Sequence, residues 1–145
     1  MRPRPDPELL AAIQEAASLA GLAHVYPPER YPFPRREVLE RWRSSTDTVF
    51  VAEGGSGFAA VDPPWLDALY VRPESWGTGI AARLHDEAVE VLRAAGVERA
   101  RLWVLEANVR ARRFYERRGW RSDGTTRVVP FPPHPLDLGY SLDLT

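Results

Sequence analysis

The chain has 145 residues, a formal net charge of −1 and no cysteine. That length suits one domain, residues 1–145, burying about two thirds of its unfolded surface, and the near-neutral balance gives no global basic field for nucleic acid or an anionic membrane. No disulfide, thiolate metal ligand or thiol nucleophile is available, and with neither a bilayer-length apolar run nor a charged-then-apolar leader the expected location is the cytoplasm.

Met1–Pro7 is stiff and polar, and Glu8 to Ala20 then reads as a helix: Leu9, Ile13, Ala16, Ala17 and Ala20 share one stripe, with Gly21 at the stop position. His24 to Pro34 holds four prolines and three aromatics, which excludes helix and suits an ordered loop over a pocket. Arg35 to Arg43 resumes a helical pattern. Thr48–Ala52 and Gly57–Val61 read as strands joined by the turn Glu53-Gly54-Gly55-Ser56, forming a hairpin. Asp62-Pro63-Pro64 leads into a third strand, Trp65 to Val71. Ile80, Leu84, Ala88, Val91, Leu92 and Ala95 recur at helical spacing from Gly79, with Gly96 where a left-handed cap is wanted. Arg101–Leu105 is a short strand, a helix follows Asn108 and ends at Gly119, and Trp120–Val129 and Leu136–Leu144 read as closing strands. Strands and helices alternate, so the expected fold is α/β (α+β), a mixed, mostly antiparallel central sheet flanked by helices.

The most informative stretch is Leu69-Tyr70-Val71-Arg72-Pro73-Glu74-Ser75-Trp76-Gly77-Thr78-Gly79-Ile80-Ala81, a buried strand running into a Gly-x-Gly turn that opens a helix. The first amides of a helix lack intrahelical partners and the dipole adds about half a positive charge there, so such a start holds phosphate. Glycines at 77 and 79 remove the Cβ atoms that would obstruct close approach. Downstream lies Asn108-Val109-Arg110-Ala111-Arg112-Arg113-Phe114-Tyr115, then Gly119-Trp120.

With these residues the chain resembles the GNAT superfamily of acyl-CoA-dependent N-acyltransferases, over about residues 48 to 129. The family pairs a [QR]-x-x-G-x-[GA] loop with a later N-x-x-[AS]-x-x-[FL]-Y-x-x-x-G-[FW] helix. Trp76 to Ala81 fits the first pattern with tryptophan where glutamine or arginine is usual; Asn108, Ala111, Phe114, Tyr115, Gly119 and Trp120 fit the second at every specified position. The resemblance implies acetyl-CoA as co-substrate, gripped through its pyrophosphate by Trp76, Gly77, Thr78, Gly79, Ile80 and Ala81. It also implies pantetheine in a gap between two splayed strands, bonded to the backbone of Leu69, Tyr70 and Val71 and to Asn108. Tyr115 would protonate the departing thiolate, and strand N–H groups would stabilise the oxyanion. The reaction expected is direct acetyl transfer to a primary amine, without metal.

Relatives often carry glutamate where Trp65 stands, which leaves two candidates for the proton acceptor: Asp67, two residues from Leu69 and so expected on its face, and Glu106, after the strand Arg101–Leu105. The family's usual first strand is missing or very short, since only about seven residues precede the first helix. That predicts an exposed sheet edge, with a homodimer as one way to cover it.

Blander roles compete at several positions. Asn108 is a good N-cap residue, and the arginines at 110, 112, 113, 117, 118 and 121 suit a solvated helix face or the coenzyme's 3′-phosphate. His24, His85 and His134 lack metal-ligand spacing, though His24 and His134 could flank an acceptor site, where Glu53, Asp62 and Asp67 could draw a cationic amine. The use of arginine for every basic residue reflects GC-rich bacterial coding sequence. The acceptor, a small molecule or a peptide amine, is not specified. The competing reading is a catalytically silent acyl-CoA-binding or regulatory module; a dinucleotide-binding domain would need a third glycine near Ala82.

Overall fold

A computed structural model describes residues 5–145; the lead-in read over residues 1–4 lies outside the described residues. Helix α1 (Pro7–Gly21) starts where the Asp6 carboxylate accepts from the Glu8 amide at 3.0 Å, with proline at the first turn. Helix α2 (Arg35–Ser44) lies beside it, tied by Trp42 Nε1–H donating to Gln14 Oε1 at 2.9 Å and by the Arg35–Glu15 ion pair at 2.7 Å. The strands are β1 (Thr48–Val51), β2 (Gly57–Asp62), β3 (Trp65–Val71), β4 (Arg99–Leu105), β5 (Arg121–Val128) and β6 (Leu136–Asp143). Helix α3 (Ile80–Ala94) joins β3 to β4, and α4 (Val109–Arg117) joins β4 to β5.

One six-stranded sheet has the order β1-β2-β3-β4-β6-β5, antiparallel everywhere except between β3 and β4. Helices α1 and α2 cover one face through Leu10, Ile13, Val38 and Trp42, packed on Phe58, Ala60 and Ala68. Helix α3 covers the other through Leu84, Ala88 and Leu92, against Ala59, Val61, Leu66, Leu102 and Val104. Burial of these apolar faces on both sides, at about 25 cal/mol per Å², holds the layers together. Among the described residues no strand precedes α1, so β1 forms the sheet edge, and at four residues it is short. No helix among the described residues is long and apolar enough to cross a membrane.

The expected elements are present, with shifted ends. Strand β4 begins two residues early, at Arg99, and a single 3₁₀ turn, Pro73–Ser75, stands between β3 and the glycine turn. Proline at the first position of that turn has no N–H to lose and a φ already suited to it. Gly96 and Gly119 take positive φ past the ends of α3 and α4, as their sequence positions imply.

One expectation fails. In β3, Leu66 faces Val61 while Ala68 faces Ala60, so β3 carries one extra residue and Asp67 has no partner across the ladder. Such a bulge reverses the alternation beyond it. Leu69 therefore packs with the cluster on the α3 side, while Asp67 meets Asp47 and the charge of Arg41 from the α2 side. Asp67 does not share a face with Leu69.

Candidate active site

Strand β3 is paired to β2 along its length and β4 to β6 over seven residues, yet β3 and β4 meet only at Trp65 and Arg101. Beyond that pair the parallel strands part, which leaves the backbone of Leu69, Tyr70 and Val71 with no strand on its β4 side. A cavity of about 540 Å³ fills the opening between Trp65–Tyr70 of β3 and Trp103–Leu105 of β4. A smaller one of about 170 Å³ continues along Val71, Trp76, Ala81, Arg110 and Phe114. Leu69, Tyr70, Asn108, Ala111 and Tyr115 border both, so the two form one passage through the splayed sheet.

The narrower end leads to the start of α3. Gly77 and Gly79 have φ of +79° and +87°, and a Cβ built on either meets nothing within 4 Å. Backbone conformation, rather than crowding, demands glycine there. Gly79 caps α3 with no side-chain hydrogen bond, so the first amides of Ile80 and Ala81 stay available to an anion. Thr78 Oγ1–H donates to Ser75 O at 2.5 Å and holds the turn. Trp76, in the position the family usually gives to glutamine or arginine, donates its indole N–H to Val71 O at 2.8 Å. Its ring rests against Gly21 under the Arg110 guanidinium, which sits 3.4 Å from the ring centroid. The indole thereby braces the end of β3 against the glycine turn.

Tyr115 is 9% exposed, and burial raises its hydroxyl above the ordinary phenol value, so it stays protonated at any working pH. Asn108 does cap α4, its Oδ1 accepting from the Ala111 amide at 3.2 Å, and this leaves the side-chain NH₂ as its group able to meet a ligand. His24 Nε2–H donates to Ala107 O at 2.9 Å, joining the α1–α2 loop to the β4–α4 turn.

The two proton-acceptor candidates part company. Both carboxylates are exposed to solvent, but Glu106 lines neither cavity. Asp67 lines the larger cavity, and its carboxyl is pushed up to about 7, by loss of water first and then by the hydrogen bond and charge of Asp47. Asp62 adds to the rise and Arg41 opposes it. Carboxylate oxygens of Asp47, Asp62 and Asp67 lie within 4.8 Å of one another.

Sequence reasoning missed four residues here. Trp103 stacks on Trp65 with centroids 6.0 Å apart and planes 15° from parallel. Asp137 pairs with Arg127 at 3.0 Å, and Arg41 projects into the larger cavity from α2. Their sequence signal was the period-two register of β4, β5 and β6, and for Arg41 a charge in the last turn of a helix. His134 lines neither cavity and its ring is bonded to Val129 O at 3.1 Å.

Residues 13–120 match the acetyltransferase (GNAT) family model. An uncharacterised N-acetyltransferase of Archaeoglobus fulgidus is 35% identical over 106 residues, 60% of this chain and 72% of that protein. The crystal structure of a GCN5-related N-acetyltransferase from Rhodopseudomonas palustris superposes with a TM-score of 0.78 at 21% identity, covering 96% of this chain and 90% of that one. A Thermoplasma acidophilum PaiA N-acetyltransferase, solved in complex with coenzyme A, has a TM-score of 0.63 at 21% identity, covering 95% of this chain and 92% of the other. A match through the splayed strands, the glycine turn and the Asn108–Trp120 helix covers the parts that build the passage, and the chain belongs to the acetyltransferase (GNAT) family.

Proposed function

We propose that this chain transfers an acetyl group from acetyl-CoA directly to a primary amine. The observation that carries the reading is the parting of β3 from β4 after a single ladder pair, which opens a two-sided passage bordered by Tyr115 and Asn108. The donor set fits the coenzyme. Free amides at the start of α3 suit a pyrophosphate, the unpaired edge of Leu69–Val71 suits the amide-bearing pantetheine arm, and the relative from Thermoplasma was solved with coenzyme A. Acetyl-CoA supplies the activated acyl carbon. With no cysteine in the chain, an acyl-thiol enzyme is not available and transfer is direct.

Each residue then has a role. Strand N–H groups of Leu69–Val71 face the developing oxyanion, a preorganised contribution worth about 3 kcal/mol in comparable sites. Asp67 accepts the proton of the attacking amine, through water where contact is not direct. Its raised pKa makes it a far better base than an ordinary carboxylate. Tyr115 donates its O–H toward the departing sulfur. Full proton transfer from a phenol of ordinary pKa ~10 to a thiolate whose acid lies near ~8.5 is uphill by about 2 kcal/mol, and burial makes the phenol weaker still. The hydroxyl therefore works mainly as a hydrogen-bond donor to developing negative charge.

Thiol release from acetyl-CoA across a panel of primary amines tests the reading. Turnover by the wild type, with kcat about 10²-fold lower in Tyr115→Phe and KM for acetyl-CoA unchanged, supports it. Tight acetyl-CoA binding with no turnover on any amine would favour a silent coenzyme-binding module.

A further inference from the structure

The larger cavity carries four charged side chains: Arg41, Asp67, Arg127 and Asp137. Two are neutralised by each other, since Arg127 Nε–H donates to Asp137 Oδ2 at 3.0 Å. Asp67 has carboxylate oxygens of Asp47 and Asp62 within 4.8 Å. Arg41 has no carboxylate within ion-pair distance among the described residues, and no hydrogen bond. Exposed to solvent, its guanidinium lies 4.5 Å over the Trp42 ring, and that indole is fixed by its N–H bond to Gln14 in the α1–α2 core. A guanidinium held on a fixed aromatic platform keeps its planar fork free for an oxyanion and loses little freedom on binding one.

Arg41 also stands where both ends of an acceptor would be read. Its charge reaches the Asp67 carboxyl and the Tyr70 hydroxyl, both on the β3 wall. The cavity thus offers an acidic group for an ammonium and, within electrostatic reach of it, an unmatched cation.

We propose that the acceptor is a small primary amine that also carries a carboxylate, with the ammonium at Asp67 and the carboxylate on Arg41. This rests on the acetyltransferase reading above. It makes Arg41 a specificity-determining residue and predicts that an amino acid is preferred to the amine left by its decarboxylation.

The test measures thiol release from acetyl-CoA with matched pairs: L-serine against ethanolamine, L-phenylalanine against phenethylamine, and β-alanine against ethylamine. The expected result is kcat/KM at least tenfold higher for the carboxylate-bearing member of a pair, mainly through KM. Measured at pH 9, where Asp67 is ionised with or without the neighbouring Arg41 charge, Arg41→Gln should bring kcat/KM for the carboxylate-bearing member down to that of the decarboxylated amine, and Arg41→Lys should restore part of the preference; thermal melts confirm that both variants fold. Equal or better turnover of the decarboxylated amines overturns the proposal and leaves the acetyltransferase reading standing, as does an Arg41→Gln variant that loses both members of a pair alike. No turnover of any amine overturns both.

Discussion

The pH dependence of the reaction should expose the acid cluster at the mouth of the cavity. Asp67 titrates at about 7 because it has lost water and shares a hydrogen bond with Asp47. If its ionised form takes the amine proton, kcat/KM must carry an acidic limb. At pH 6 a group of pKa 7 is about 10% ionised and at pH 5 about 1%, whereas an ordinary aspartate of pKa ~3.9 is still more than ~90% ionised at pH 5. The rate should therefore fall about tenfold per unit below pH 7. Amine protonation adds its own slope, so the reading comes from variants compared on one acceptor. Asp67→Asn should remove the break near 7 and lower the plateau. Asp47→Asn should keep the base but remove its nearest acidic neighbour, moving the break down while the larger part of the rise, which comes from lost water, stays. A stopped thiol assay from pH 5 to 9 at subsaturating amine suffices. A break at 7 that survives Asp67→Asn, or does not move in Asp47→Asn, would refute the assignment.

Two further predictions concern the scaffold. His85 is 4% exposed, its Nε2 accepts from Trp120 Nε1–H at 3.0 Å, and its Nδ1–H donates to Asp86 at 3.0 Å, an arrangement that admits only the neutral ring. Burial lowers its pKa, so the unfolded chain binds a proton from about pH 6.5 downward while the native state resists it; stability to urea should fall as pH drops from 7 to 5, by up to about 1.4 kcal/mol per unit, and Trp120→Phe should shrink that dependence while costing about 1–3 kcal/mol at pH 7.5. Gly57→Ala would place a Cβ 2.7 Å from Tyr70 O, backbone that cannot yield, and should cost about 1–3 kcal/mol in denaturant midpoint measurements. Wild-type stability in that variant would show that β2 and β3 can shift apart.

The coenzyme side of the molecule was largely legible, because it is built from local features. A positive-φ glycine before a helix, a polar N-cap and a glycine past a helix end each act within about five residues, and Gly79, Asn108, Gly96 and Gly119 occupy the places their sequence context implies. The acceptor side was not legible, because it is assembled across long range. Arg41 comes from α2, Asp47 from the residue before β1, Trp103 from β4 and Asp137 from β6. The misplaced face of Asp67 has the same origin. Strict alternation holds only in an unbroken ladder, and nothing in Trp65-Leu66-Asp67-Ala68-Leu69 marks the bulge that β2 imposes on it.

That bulge bears on how the site manages without an acid at position 65. Thr48 is registered with Val61 and Asp62 with Trp65, so the hairpin β1–β2 and its continuation into β3 bring Asp47, Asp62 and Asp67 to one corner. In a regular ladder Asp67 would sit opposite a β2 residue. As the extra residue of a bulge it is released from the ladder, turned toward Asp47 and crowded by a second acid. Loss of water, helped by the neighbouring carboxylates, raises its pKa into the working range of a base. Trp65, stacked on Trp103 at the only point where β3 and β4 still pair, then contributes something a glutamate could not: an apolar clamp at the apex of the splay. On this argument the tryptophan does not mark a lost catalytic site. Under the proposed function the clamp and the base are divided between neighbouring residues, Trp65 standing where the strands part and Asp67 placed to take the proton.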